Sequence, residues 1–108
     1  MLLLHHTGAR SGKQYVNPLA YQADDGRYVV FASKAGAPVH PGWYYNLKAN
    51  PEIKAEVGTQ TLTVRAEELD DTARARLWPA LVAEAPSLGE FQARATRQIP
   101  VFMLTRQD

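Results

Sequence analysis

Through most of the chain apolar and polar residues alternate with a period of two, the pattern of strands that cover one face. Residues 2–6 form a short strand of this kind. Its start at the first residue leads us to expect a further segment upstream. Residues 15–23 set Tyr15, Asn17, Leu19 and Tyr21 against Val16, Pro18 and Ala20, and read as one strand with an irregular point at Pro18. Asp24-Asp25-Gly26 marks a hairpin turn. Residues 27–33, built on Tyr28-Val29-Val30-Phe31, give the strongest strand signal. Glu52–Val57 and residues 60–67 alternate again, joined by a second hairpin at Gly58-Thr59, and residues 100–104 make a final strand.

In three places the period lengthens to that of a helix. Residues 42–50 place Trp43 and Leu47 one turn apart on one face, and Asn50-Pro51 closes the helix, with Asn suited to a left-handed cap. Asp70-Asp71-Thr72 caps a second helix that reaches about residue 85, with Leu77, Leu81 and Val82 as its apolar stripe. Pro79 inside that span predicts a kink or a restart. Ser87-Leu88-Gly89-Glu90 has the form of a capping box for a last short helix. Tight turns between consecutive strands imply antiparallel pairing. About six strands in so short a chain point to a small closed barrel, since closure removes exposed edges, with the helices over its mouth and one flank. The expected class is mainly β (α+β), in a single domain spanning residues 1–108.

Composition narrows the function. The 108 residues are 45% hydrophobic and 21% charged, ordinary for a folded domain. Cysteine is absent, which excludes disulfides and thiol chemistry. No apolar run approaches the roughly 20 residues of a membrane span. Met1-Leu2-Leu3-Leu4 lacks the basic and long apolar regions of a signal peptide. A cytoplasmic location fits both features. The net charge of +1 argues against a nucleic-acid partner. Residues 1–50 nevertheless hold five basic residues against two acidic ones, so the first half favours a small anionic ligand.

Two loops in that half carry candidate chemistry. Residues 7–13 combine two glycines, which allow a sharp anion-binding bend, with Arg10, Lys13, Thr7 and Ser11. Taken alone, the same residues also suit a solvated turn. Residues 32–46 run from a strand end at Ala32-Ser33-Lys34, through small residues, to a helix start at Pro41-Gly42. The free N–H groups of that helix and the rings of Trp43 and Tyr44 suit a flat ligand. Trp43 equally suits a core anchor. His40 reads as an acid, a polar contact or, more simply, a bland loop residue. His5 and His6, adjacent on a strand, point to opposite faces and suit structural or surface roles. Asp70-Asp71 reads as a helix cap. The Arg74/Arg76 and Arg94/Arg97 pairs read as solvated helix faces. No spacing of metal ligands is present.

Together, Leu3 to Gly12 (LLHHTGARSG), Val16-Asn17-Pro18-Leu19, Val30 to Lys34 (VFASK), His40 to Pro51 (HPGWYYNLKANP), Leu77-Trp78-Pro79 and Phe91 to Pro100 (FQARATRQIP) resemble the deazaflavin-dependent nitroreductase family of the actinobacterial split β-barrel type. The resemblance covers nearly the whole chain. It implies a split β-barrel of the FMN-binding kind that binds coenzyme F420, with FMN as the alternative cofactor. It implies that Arg10, Ser11, Gly12 and Lys13 meet the phosphate end of the cofactor. Ala32, Ser33, Lys34, Trp43, Tyr44 and Asn46 would line its ring, with Ser33 nearest the reacting centre. The implied chemistry is hydride transfer from the reduced deazaflavin to a nitro compound, quinone or enone. A non-catalytic F420 carrier is the alternative. Where nitroimidazole-reducing members carry tyrosines over the substrate, this chain has Ala85, Leu88 and Phe91. Leu88 and Phe91 would form an apolar lid, which favours a quinone or enone over a bicyclic nitroimidazole. A lipid-soluble quinone would bring the protein to the membrane periphery. Both a monomer and a homodimer are compatible with the sequence.

Overall fold

The computed structural model describes residues 1–34 and 39–107. In chain order the elements are β1 (Leu2–Thr7), β2 (Gln14–Leu19), β3 (Gln22–Asp24), β4 (Arg27–Phe31), α1 (Gly42–Ala49), β5 (Glu52–Val57), β6 (Gln60–Glu68), α2 (Asp71–Glu84), α3 (Pro86–Arg94) and β7 (Val101–Arg106). The strands form one seven-stranded sheet in the order β2-β1-β5-β6-β7-β4-β3. Every pairing in it is antiparallel.

The segment expected as one strand over 15–23 is two. β2 and β3 lie at opposite edges of the sheet, yet only Ala20 and Tyr21 separate them in sequence. Two residues bridge little more than about 10 Å of chain, so the sheet must curl until its edges nearly meet. The edges are not paired with each other. The expected split barrel is therefore present, with seven strands and an open seam. Pro18, which lacks an N–H, sits on the unpaired edge where its missing donor costs nothing. A side-chain bond crosses beside the seam, from Gln22 Nε2 to the Leu81 carbonyl of α2 (2.9 Å).

Two apolar clusters result. The barrel interior is filled by Leu2, Leu4, Val30, Leu47, Val64, Phe102 and their neighbours. Between the outer face of the sheet and α2–α3 lie Val29, Leu81, Leu88, Val101 and Met103. β4 and β7 thus bury both faces, which explains their unbroken apolar runs. β1, β5 and β6 are covered on one face and alternate. The buried face of α1 presents Trp43 and Leu47, as their spacing predicts.

The helix ends differ from expectation in three places. α2 passes through Pro79 without a break. α3 starts one residue before Ser87, with Pro86 in its first turn and no side-chain cap, so the capping box does not form. Asn50 ends α1 with φ −131°, not in the left-handed region. The Asp70 cap does form, its carboxylate accepting from Ala73 N at 2.8 Å.

Candidate active site

The β1–β2 turn is a compact hydrogen-bonded unit. Gly8 N donates to Lys13 O (2.8 Å) and Gly12 N to Gly8 O (3.1 Å). Lys13 N donates to Ser11 Oγ (3.2 Å). Gly12 has φ +71°, a conformation that favours glycine. At Gly8 a Cβ would lie 2.5 Å from Ser11 Oγ. Ala9 N donates to Asn46 Oδ1 of α1 (2.9 Å). The amides of Gly8, Ala9, Gly12 and Lys13 are therefore already engaged. For an anion the turn offers the Arg10 guanidinium, the Ser11 hydroxyl and the amides of Arg10 and Ser11.

Asn46 has a second role. Its Nδ2 donates to His6 Nδ1 (3.0 Å), which places the imidazole proton on Nε2, and Nε2 donates to Asn17 Oδ1 (2.6 Å). His6 is 3% exposed, and Tyr15 stacks over it at 5.6 Å. This chain of amides and rings ties β1, β2 and α1 together at the base of a cleft. Sequence reasoning missed His6 and Asn17. The signal was available, since strand alternation puts His6 on the same inward face as Leu2 and Leu4. Its neighbour His5 does point outward, where its ring meets the Glu56 carboxylate.

The cleft has a volume of about 1130 Å³ and runs from the β1–β2 turn to the start of α1. Arg10, Ser11, Lys34, Trp43 and Asn46 line it, and so do Tyr45 and Lys48. Among the described residues no carboxylate does. Lys48 is held by Glu68 (2.8 Å), which raises its pKa. A second cavity of about 350 Å³ lies at the barrel seam, between Pro18–Gln22 of the chain and the α2–α3 junction. Ser33, Leu88 and Phe91 line it, and Lys34, Pro41 and Trp43 face both cavities. Trp43 is 7% exposed and packs edge-on against Phe102, so it anchors α1 and forms the partition as well.

Four expected residues stand elsewhere. Ala32 is fully buried in the barrel interior and lines neither cavity. Gly12 and Lys13 shape the turn but do not line the cleft. Tyr44 faces away from it, stacked on His40 at 4.0 Å, with its hydroxyl donating to Glu68 Oε1 at 3.3 Å. Burial, then the Glu68 charge, raises the Tyr44 pKa. The following residue, Tyr45, lines the cleft in its place. A step of about 100° along the helix separates the two rings. The small residues 35–38 of the second loop lie outside the described residues. His40 lines neither cavity, and burial followed by the Arg97 charge lowers its pKa. No cluster that could ligate a metal occurs among the described residues.

The Arg pairs read as solvated faces are not alike. Arg74 is 8% exposed, and its guanidinium lies 4.0 Å from the centre of the Trp78 ring. Arg97 is half-buried and binds three backbone carbonyls. α3 ends at Arg94, so Arg97 is not on a helix face, and the spacing of the charges gives no sign of which residue turns inward.

The family model of the F420H(2)-dependent quinone reductases matches residues 1–106. The chain belongs to that family. It is 41% identical over 109 residues to an F420H(2)-dependent quinone reductase of Mycobacterium tuberculosis, covering 98% of this chain and 73% of the relative. A solved F420-H2 dependent reductase superposes with a TM-score of 0.84 at 39% identity, over 95% of this chain and 91% of that one. A chain described as a domain-swapped dimer superposes with a TM-score of 0.85 at 39% identity, over 95% of this chain and 78% of that one. The expected resemblance to deazaflavin-dependent reductases is borne out, and the split-barrel fold with it. Members of this family are oxidoreductases, and their cofactor is coenzyme F420.

Proposed function

We propose that the protein reduces a quinone at the expense of reduced coenzyme F420, with the cofactor in the large cleft and the acceptor entering from the seam cavity. The observation that carries this reading is the pair of cavities on either side of Trp43. The larger one has cationic side chains and no carboxylate among its described lining. The smaller one is mostly apolar.

The residues fit the group. Arg10 and the free Arg10 and Ser11 amides suit the cofactor's phosphate, and Gly8 and Gly12 keep the turn close and compact. Lys34, Pro41 and Trp43 form a wall for its ring. F420H2 supplies a hydride at C5 of the deazaflavin when bound. The chain's own part is to hold that carbon against the acceptor, keep water out and orient the acceptor oxygens. Of the hydroxyl-bearing residues at the seam cavity, Ser33, Ser87 and Tyr21, we assign the last task to Ser33, which sits beside the shared wall residue Lys34. Leu88 and Phe91 offer apolar contact to a quinone ring or to a flat enone. The phenol at that cavity comes from the opposite wall, from Tyr21. A single domain carries both cavities, and the site meets a lipid-soluble quinone at the membrane surface of the cytoplasm.

Titration with oxidised F420 and with FMN, followed by anaerobic turnover of F420H2 with a naphthoquinone, tests the reading. Micromolar or tighter F420 binding and quinone-dependent oxidation are expected. FMN binding without F420 binding rejects it, and F420 binding without turnover leaves a carrier. Light scattering across a concentration series reads the assembly state.

A further inference from the structure

We propose that Arg97 is a positioning residue, whose guanidinium ties both ends of the loop that carries Ser33 and Lys34 and thereby sets the wall between the two cavities. Its Nη2 donates to the carbonyls of Ala32 (3.0 Å), Ser33 (3.2 Å) and Val39 (3.0 Å). The first two carbonyls lie where β4 ends, and the third where the chain returns toward α1. One nitrogen of this cation thus gathers backbone from both sides of the loop, its two N–H groups shared among three carbonyls.

Two further observations support a role beyond holding the fold together. First, Lys34 directly follows the tethered Ser33 carbonyl and has φ +45°, a region that a side chain with a Cβ adopts at some cost. The tether holds that conformation in a loop residue that faces both cavities. Second, Arg97 is itself fixed from α3. Gln92 Nε2 donates to the Arg97 carbonyl (2.9 Å), and Gln92 Oε1 accepts from Ile99 N (2.8 Å) and Arg74 Nη2 (2.8 Å). Arg74 Nε in turn donates to the Ile99 carbonyl (2.9 Å). α3 also supplies Leu88 and Phe91 to the seam cavity. The same hydrogen-bonded chain therefore joins the acceptor wall on α3 to the cofactor wall on the loop.

The catalytic consequence rests on the proposed function. The mechanical one does not, so the test reads both. In cofactor-free protein, Arg97→Ala is expected to speed hydrogen exchange of the Ala32 amide, which donates to Pro100 O, at least tenfold. The Leu104 amide in β7 should exchange as in wild type. In anaerobic turnover the same variant is expected to lose tenfold or more in kcat, with F420 affinity and quinone KM changed less than threefold, because small displacements of reacting groups act on rate more than on binding. Arg97→Lys keeps the charge on a shorter stem with a compact head, and is expected to fall between wild type and Arg97→Ala in both readouts. Should Arg97→Ala fail to fold, Arg97→Lys carries the test by itself. Wild-type exchange at Ala32, faster exchange spread equally over the sheet, or an unchanged kcat overturns the proposal. Wild-type protein that binds no F420 overturns the functional reading and leaves the exchange result standing.

Discussion

Arg10 and Lys34 line the cleft, and neither has an ion-pair partner among the described residues. Both are exposed cations at the cleft, where a bound anion can pair with them. Arg10→Ala is expected to weaken F420 binding by about 1–3 kcal/mol through loss of a charge-assisted hydrogen bond, measured by titration with the oxidised cofactor. Arg10 was legible because a cation between two glycines is a local pattern. The His6–Asn17–Asn46 chain was not, since its three members come from three elements. His40 makes a different prediction. Its folded pKa lies below the ordinary 6.5, so below that pH the unfolded chain binds more protons and stability is lost as the pH falls through the folded value. Arg97 and Glu68 are the charges that act on it, in opposite directions. Urea midpoints measured from pH 8 to pH 5 are expected to fall less steeply in His40→Phe, which keeps the stack on Tyr44.

The elements owe their positions to signals of unequal strength. β4 and β7 were legible from apolar runs, and β5–β6 from alternation around a glycine turn. The break between β2 and β3 was not, because alternation continues across Ala20 and Tyr21 while the pairing partner changes from β1 to β4. That change is set by the curl of the whole sheet. The third helix shows the same limit, since Pro86 at its first position makes the cap offered by Ser87 redundant. α2 depends on its cap more directly. Asp70→Ala removes the acceptor for Ala73 N and is expected to cost about 1 kcal/mol, read as a lower urea midpoint with unchanged slope. In the β1–β2 turn, Gly8→Ala drives a methyl against the Ser11 hydroxyl, the movable end of a small side chain, and to 3.1 Å from the Tyr15 ring, which must give by a few tenths of an ångström. Stability is expected to change by less than about 1 kcal/mol, because Ser11 can rotate. F420 affinity is expected to fall, because Ser11 then leaves both Lys13 N and the cleft.

For the molecule as a whole, the open seam means that a large cleft and a smaller cavity stand in a chain with a modest core. A ligand that binds the folded state alone adds RT ln(1 + [L]/Kd), about 2.7 kcal/mol at a hundredfold excess over Kd. In a domain of this size that corresponds to a rise of roughly 10 °C or more in Tm. Thermal scans with F420 are expected to show it, and scans with FMN at equal concentration are not. The barrel and its antiparallel order were legible from the residues and the resemblance. The seam, and the way Trp43 divides the space around it, come from three-dimensional closure.

That partition has an evolutionary consequence. Among the described residues the two chambers share only Lys34, Pro41 and Trp43. All other described walls belong to one chamber or the other. On the assignment proposed above, drift at positions 85–91 would retune which oxidant is accepted and leave the walls of the donor chamber unchanged. A lineage built on that assignment would diversify its acceptors one substitution at a time, without passing through forms that have lost their redox partner.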